Sequence, residues 1–248
     1  PNRLKIGSFS AASNVTGIKT DVYKVAKIMH KHHGLVFLDF AASAPYVEIN
    51  MNKDKESYFD AIFISPHKFI GGPGSSGILV INKKLYNKSY PPTVCGGGTV
   101  EFVSPYCYEF LEDVETRESA GTPGILQIIK ASLALEFKEY IGINNIMKIE
   151  EEMLEYALNK LSQDDNLIIY GPKDVSRRIS ILSFNIKHHD KLLHHRFVSK
   201  LLNDLFGIQS RAGCVCAGPY AHRILGICQT KSNQLKKIPL IERFLIVS

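Results

Sequence analysis

The sequence predicts an α/β large domain built on a mostly parallel sheet, followed by a smaller α+β C-terminal domain. Three observations carry that prediction. Short β-rich runs alternate with amphipathic helical patterns through the first half, the signature of strand–helix–strand units. Two long helical patterns then interrupt the alternation. Beyond them strand-like and helical runs return in a different order, as in a separate small lobe.

Leu4 to Ala11 reads as the first strand. Asp21 to His32 follows as a helix with Val22, Val25, Ala26 and Met29 on one face, and Gly34 to Asp39 as the next strand, which Asp39 ends. Asp60 to Ser65 is a further strand that runs into a glycine-rich turn holding Lys68, with Gly77 to Asn82 as its parallel or antiparallel neighbour. A helix from Ile125 to Tyr140 follows Thr122-Pro123, where Thr can cap and Pro can occupy the first turn; a second spans Asn145 to Leu161. These two helices join the lobes. Leu167 to Tyr170 and Arg178 to Phe184 are the strands of the small lobe, and His194 to Leu205 is its helix. The boundary therefore falls near Asn145, giving a partial large domain over residues 1–144 and a C-terminal domain over 145–248. No internal repeat is visible, and the weak periodicity from Thr230 onward assigns no element there.

Composition narrows the function classes. The chain of 248 residues is 45% hydrophobic and 22% charged, the balance of an ordinary globular protein and not of disorder. Its 30 Lys and Arg exceed its 24 Asp and Glu, but they stand singly or in pairs such as Lys83-Lys84 and Lys236-Lys237. That scatter argues against a nucleic-acid-binding stripe, while the net charge of +6 favours small anionic ligands. No apolar run approaches the roughly 20 residues of a membrane-spanning helix. Five cysteines, an odd count, argue against a disulfide framework and for a reducing compartment, cytoplasm or organelle matrix. The opening Pro-Asn-Arg carries no secretory leader and reads as if cut from a longer parent, so a targeting segment is not observable.

The chemistry concentrates at strand ends. Ser65-Pro66-His67-Lys68-Phe69-Ile70-Gly71-Gly72-Pro73-Gly74 delivers one Lys at a strand terminus and follows it with flexible glycines. An amine held there by packed backbone can attack an aldehyde, while Ser65 and backbone amides can hold a phosphate. The alternative is a solvated Lys before a surface turn. Asp39 ends a neighbouring strand, where a carboxylate would keep a pyridine nitrogen protonated; its alternative is a turn cap. Asn14, in Ser13-Asn14-Val15-Thr16-Gly17, ends another, so three strand ends present polar groups to what could be one crevice.

In that order these segments resemble the class V aminotransferases, the family that includes cysteine desulfurases and selenocysteine lyases. The strand-end Asn is matched by Asn14, the pyridine-binding Asp by Asp39 in LDFAAS, and the S-x-H-K-x-x-G-P-x-G block by Ser65 through Gly74. Gly96-Gly97-Gly98 is similar to the family's glycine run, and Ala120-Gly121-Thr122-Pro123 to its A-G-T-P element. Five motifs in family order are hard to produce by chance. The resemblance implies a fold type I enzyme with pyridoxal 5′-phosphate as cofactor. It implies Lys68 as the Schiff-base lysine that moves the Cα proton, with Asp39, Ser65 and His67 around the cofactor. Asn14 would approach the substrate carboxylate or the cofactor's phenolic oxygen. Gly121 and Thr122 would reach the phosphate of a neighbouring subunit, which implies a homodimer.

Arg211-Ala212-Gly213-Cys214-Val215-Cys216-Ala217 matches the family's R-x-G-x-x-C-A segment, whose cysteine is the desulfurase nucleophile. The resemblance implies a persulfide on Cys216, its thiol kept ionised by Arg211, and passed on to a sulfur-acceptor protein. Alternatives for Cys214 and Cys216 are small buried apolar residues or a metal pair, although no zinc-like spacing accompanies them. Cys95, Cys107 and Cys228 are expected to be packing residues, and His32-His33, His188-His189 and His194-His195 surface polar pairs; no metal is expected.

Three departures bear on the reaction. Ala42 stands where most desulfurases place a Gln that donates to the cofactor's phenolic oxygen, with Ser43 as a substitute donor. The N-terminal phosphate-binding turn and ring-stacking aromatic of the family fold have no counterpart. The carboxylate-binding Arg of desulfurases finds its nearest candidate in Arg223, and Arg211 is a second candidate for substrate binding. The expected activity is removal of sulfur or selenium from cysteine or selenocysteine. A transaminase or epimerase without a persulfide step, or a non-catalytic interaction module, is the alternative.

Overall fold

The computed structural model describes residues 3–213 and 216–237. The chain forms two compact units, Pro1–Ala11 with Asp21–Ile143, and Ala12–Thr20 with Asn144–Ser248. The short segment 12–20, which carries Asn14, thus packs with the C-terminal unit although its sequence position is N-terminal.

In the first unit, strands β1 (Ile6–Ser10), β2 (Leu35–Asp39) and β3 (Ala61–Ile64) run parallel, and β4 (Ile78–Ile81) closes the order β1-β2-β3-β4 antiparallel to β3. Helix α1 (Val22–Lys31) lies between β1 and β2 in the chain, its first turn capped by the Asp21 carboxylate, which accepts from Lys24 N–H at 3.1 Å. The face of Val22, Val25, Ala26 and Met29 packs on a core that includes Val36, Leu38, Phe40, Phe59 and Phe69. Each fully buried large side chain of that kind contributes about 1.5–3 kcal/mol. One buried polar group locks helix to sheet. Asp60 Oδ2 accepts from Val36 N–H at 2.8 Å and lies 3.0 Å from His30 Nε2. The other ring nitrogen of His30 donates to the Glu56 carbonyl at 2.8 Å.

Sequence periodicity shows neither the hairpin of β5 (Val100–Val103) and β6 (Tyr108–Phe110) nor the single-turn helix α2 (Val114–Arg117) that follows it. Buried Arg117 organises both. Its guanidinium donates to the carbonyls of Lys88 at 2.9 Å and Tyr90 at 2.6 Å and lies over the Phe110 ring. Helix α3 (Ile125–Ile141) appears where periodicity places it, but Gly124 caps it and no side chain does. Thr122 therefore does not cap, and Pro123 precedes the helix. Lys138 fastens α3 to the loop after β2, its ammonium donating to the carbonyls of Ala44 at 2.6 Å and Val47 at 2.8 Å.

The second unit contains α4 (Ile143–Leu161) and an antiparallel sheet of β7 (Leu167–Tyr170), β8 (Ser183–His188) and β9 (Lys191–Leu192), then α5 (His195–Phe206), α6 (Gly218–Ile224) and α7 (Gln229–Lys237). The β7 span is that read from sequence; β8 lies further along than the expected Arg178 to Phe184. The reason is Arg178. It is buried, and its guanidinium donates to the carbonyls of Pro172 at 2.8 Å and of Ile181, holding residues 172–181 in a loop that meets segment 12–20. Helix α7 occupies part of the stretch to which periodicity assigned nothing; residues 238–248 lie outside the described residues. Among the described residues no helix is long and apolar enough to cross a membrane.

Candidate active site

The parallel register of the first sheet sets the geometry at its strand ends. Asp39 is the last residue of β2 and pairs with Phe63 of β3, so β3 continues one residue further and turns at Ser65. Pro66–Lys68 then make one 3-10 turn, with Lys68 N–H on the Ser65 carbonyl at 3.1 Å and Phe69 N–H on that of Pro66 at 2.9 Å. Asp39 and Lys68 thus leave adjacent strands at the same sheet edge, both exposed. The Asp39 carboxylate accepts from Ala41 N–H at 2.7 Å through Oδ1, which fixes its orientation at the strand end. His67 is exposed and Ser65 half-buried.

Two anchors hold the Lys68 turn. Phe69 sinks into the core at 4% exposure, and Gly72 approaches so closely that a Cβ there would stand 1.8 Å from the Pro66 carbonyl oxygen. In the same unit the glycine run meets the A-G-T-P element: Gly121 N–H donates to Gly97 O at 2.8 Å, and Gly121 has φ +80, a left-handed conformation that suits glycine. Gly121 and Thr122 are exposed at that surface. An exposed amine and an exposed carboxylate on adjacent strand ends are the groups that a phosphorylated pyridine aldehyde would need.

The second unit carries the remaining candidates. Asn14 stands in a tight turn in which Ser13 Oγ accepts from the N–H groups of Val15 and Thr16, each at 3.1 Å. Cys216 is exposed with φ +61, and Arg211 donates to its Sγ at 3.3 Å. Cys214 and Val215 lie outside the described residues. Arg223 is exposed in the last turn of α6. A cavity of about 460 Å³ in this unit is lined by Arg196, Ser199, Lys200 and Ala212 among others, and none of the proposed site residues lines it.

The class V aminotransferase profile matches residues 2–230, most of the chain. The chain belongs to that family. Among its relatives, a probable cysteine desulfurase of Halalkalibacterium halodurans is 34% identical over 217 residues, covering 88% of this chain and 50% of the relative. One of Pyrococcus abyssi is 31% identical over 245 residues, covering 97% and 58%. The apo structure of a cysteine desulfurase from Thermococcus onnurineus superposes with a TM-score of 0.76 at 28% identity, over 90% of this chain and 53% of that one. This class V aminotransferase chain thus spans about half the length of the curated relatives it matches. The α/β fold class with a mostly parallel sheet agrees with these neighbours.

Several sequence expectations change. Ser43 is 1% exposed, with a hydroxyl that is buried and meets no partner among the described residues, so it does not offer the donor that Ala42 lacks. Cys95, Cys107 and Cys228 are exposed instead of packed. His32-His33 and His188-His189 are exposed, but His194 and His195 are half-buried at the start of α5. Burial, then the charges of His194 and Arg196, push the His195 ring below its ordinary value, and burial followed by Arg196 does the same to His194. Among the described residues no three His, Cys, Asp or Glu side chains group as metal ligands. Tyr220, whose hydroxyl lies 3.1 Å from Thr16 Oγ1, was invisible to sequence reading because the pair is 204 residues apart.

Proposed function

We propose that this chain provides the cofactor-lysine and thiol portions of a pyridoxal phosphate enzyme that removes sulfur from cysteine, or selenium from selenocysteine. Family membership and the probable desulfurase relatives support the reaction class. The support at the site is the shared strand edge of Asp39 and Lys68 together with the Arg211 contact to Cys216. When bound, the cofactor supplies an aldehyde and an electron-withdrawing ring. Lys68 Nζ would be the amine that meets that aldehyde and would move the proton at the substrate Cα. Asp39 would pair with the ring nitrogen, and Ser65, His67 and the backbone of the turn would surround ring and phosphate. Gly121 and Thr122, both exposed, would hold the phosphate of a second subunit in a homodimer. Asn14 and Arg223 orient the substrate carboxylate. Arg211 donates to Cys216 Sγ at 3.3 Å and is assigned to the substrate as well. Cys216 Sγ attacks the substrate sulfur, an S–S bond forms and the C–S bond breaks. The electron pair goes to the carbon skeleton, which leaves as alanine after protonation, and the persulfide passes to a sulfur-acceptor protein.

Product analysis after incubation of the full chain with the cofactor and L-cysteine tests this. Alanine should appear with one added sulfur atom on the Cys216 peptide, and Cys216→Ser should abolish both. A keto acid in place of alanine would identify a transaminase and reject the desulfurase reading.

A further inference from the structure

Asn14 and Cys216 lie on segments far apart in sequence, yet within the second unit one side-chain hydrogen bond links those segments. Thr16 Oγ1 and the Tyr220 hydroxyl are 3.1 Å apart. The Thr16 end is rigid. Thr16 is 2% exposed, Gly17 N–H donates to Ser13 O at 2.9 Å, and a Cβ on Gly17 would stand 2.5 Å from the Ile179 carbonyl oxygen. Gly171 closes the other side, its Cβ position 2.8 Å from Thr16 O. The Tyr220 end is the thiol loop: α6 begins at Gly218, immediately after Cys216-Ala217, and carries Tyr220 in its first turn. Cys216 itself sits at φ +61, which a residue with a side chain keeps only where its surroundings enforce it. A half-buried tyrosine hydroxyl anchored on a buried, immobile partner is suited to that task.

We infer that Tyr220 is a positioning residue: its hydroxyl, held by Thr16, sets the Cys216 loop against the Asn14 turn and keeps Cys216 Sγ within reach of Arg211. The inference deepens the function proposed above and rests on its assignment of Cys216 as the accepting thiol. Tyr220→Phe and Thr16→Val each delete one hydroxyl at nearly constant shape, and Thr16→Ser keeps it.

Peptide-resolved alkylation of the full chain by iodoacetamide reads the loop without requiring turnover. In Tyr220→Phe and in Thr16→Val the rate at Cys216 should fall roughly three- to tenfold, the scale of one hydrogen bond. Cys95 and Cys107, in the other unit, should keep their rates. The double variant should fall no further than either single one, and Thr16→Ser should match the unaltered chain. An unchanged rate at Cys216, effects that multiply in the double variant, or a uniform rise at Cys95, Cys107 and Cys216 marking loss of fold would overturn the inference. Cofactor binding is read separately by absorbance. If no Lys68-dependent band forms while this alkylation pattern holds, the desulfurase reading fails and the role of Tyr220 stands.

Discussion

Gly72 decides what the turn after β3 can become. The carbonyl oxygen of Pro66 fills the space a side chain would need, and that carbonyl belongs to the turn that carries Lys68. Backbone cannot yield there as the far end of a flexible side chain can, so Gly72→Ala should push the 3-10 turn off Phe69 and destabilise the first unit by roughly 1–3 kcal/mol, the usual scale of overpacking. Thermal unfolding measures the loss, and cofactor titration should show weaker uptake in the same variant. A Gly72→Ala chain with unchanged melting and unchanged uptake would mean that the turn has slack the structure does not show. Ala42 and Ser43 bear on chemistry at the same scale. With Ser43 buried, the donor that Ala42 lacks does not come from its neighbour.

At the scale of elements, the start of α5 gives the chain a pH dependence. His194 caps the helix, with its Nδ1 accepting from Arg196 N–H at 3.3 Å, and His195 follows with one ring nitrogen packed near Gly213. Burial and neighbouring positive charge lower both rings from the ordinary 6.5, so the fold favours their neutral forms while the unfolded chain takes protons more readily. The stability these rings allow is whole above about pH 6.5 and is lost as pH falls through and below it. The melting temperature should therefore drop between pH 7.5 and pH 5, and the drop should shrink in His195→Gln. Equal slopes in the two chains would contradict the assignment. Elements also mark where sequence reading succeeds. The strands β2 and β3 and the helices α1 and α4 were legible because each buries apolar side chains at its own period, whereas β1 and α3 were legible as apolar runs although most of their side chains stay exposed. The hairpin β5–β6 was not, since Arg117 and loop carbonyls define it more than alternation does. Strand β8 shifted because buried Arg178 claims the residues before it for a loop. Lys68, Asp39 and Cys216 are proposed from their motif positions; the contact of Thr16 with Tyr220 had no such signal, because no local pattern encodes a contact made 204 residues away.

For the whole molecule, the chain matches the family over residues 2–230 in about half the length of its relatives, and the proposed cofactor lysine and thiol both fall within that match. Large apolar side chains on α3 stay open to solvent, among them Leu126 at 77% and Tyr140 at 86% exposure. Whatever surrounds these units, the account depends on one amine. The most direct measurement is borohydride reduction of the full chain with pyridoxal phosphate, followed by peptide mass mapping. The account predicts one reduced adduct on Lys68, lost in Lys68→Ala and weakened in Asp39→Asn. An adduct that persists in Lys68→Ala, or that maps to another lysine, would contradict it.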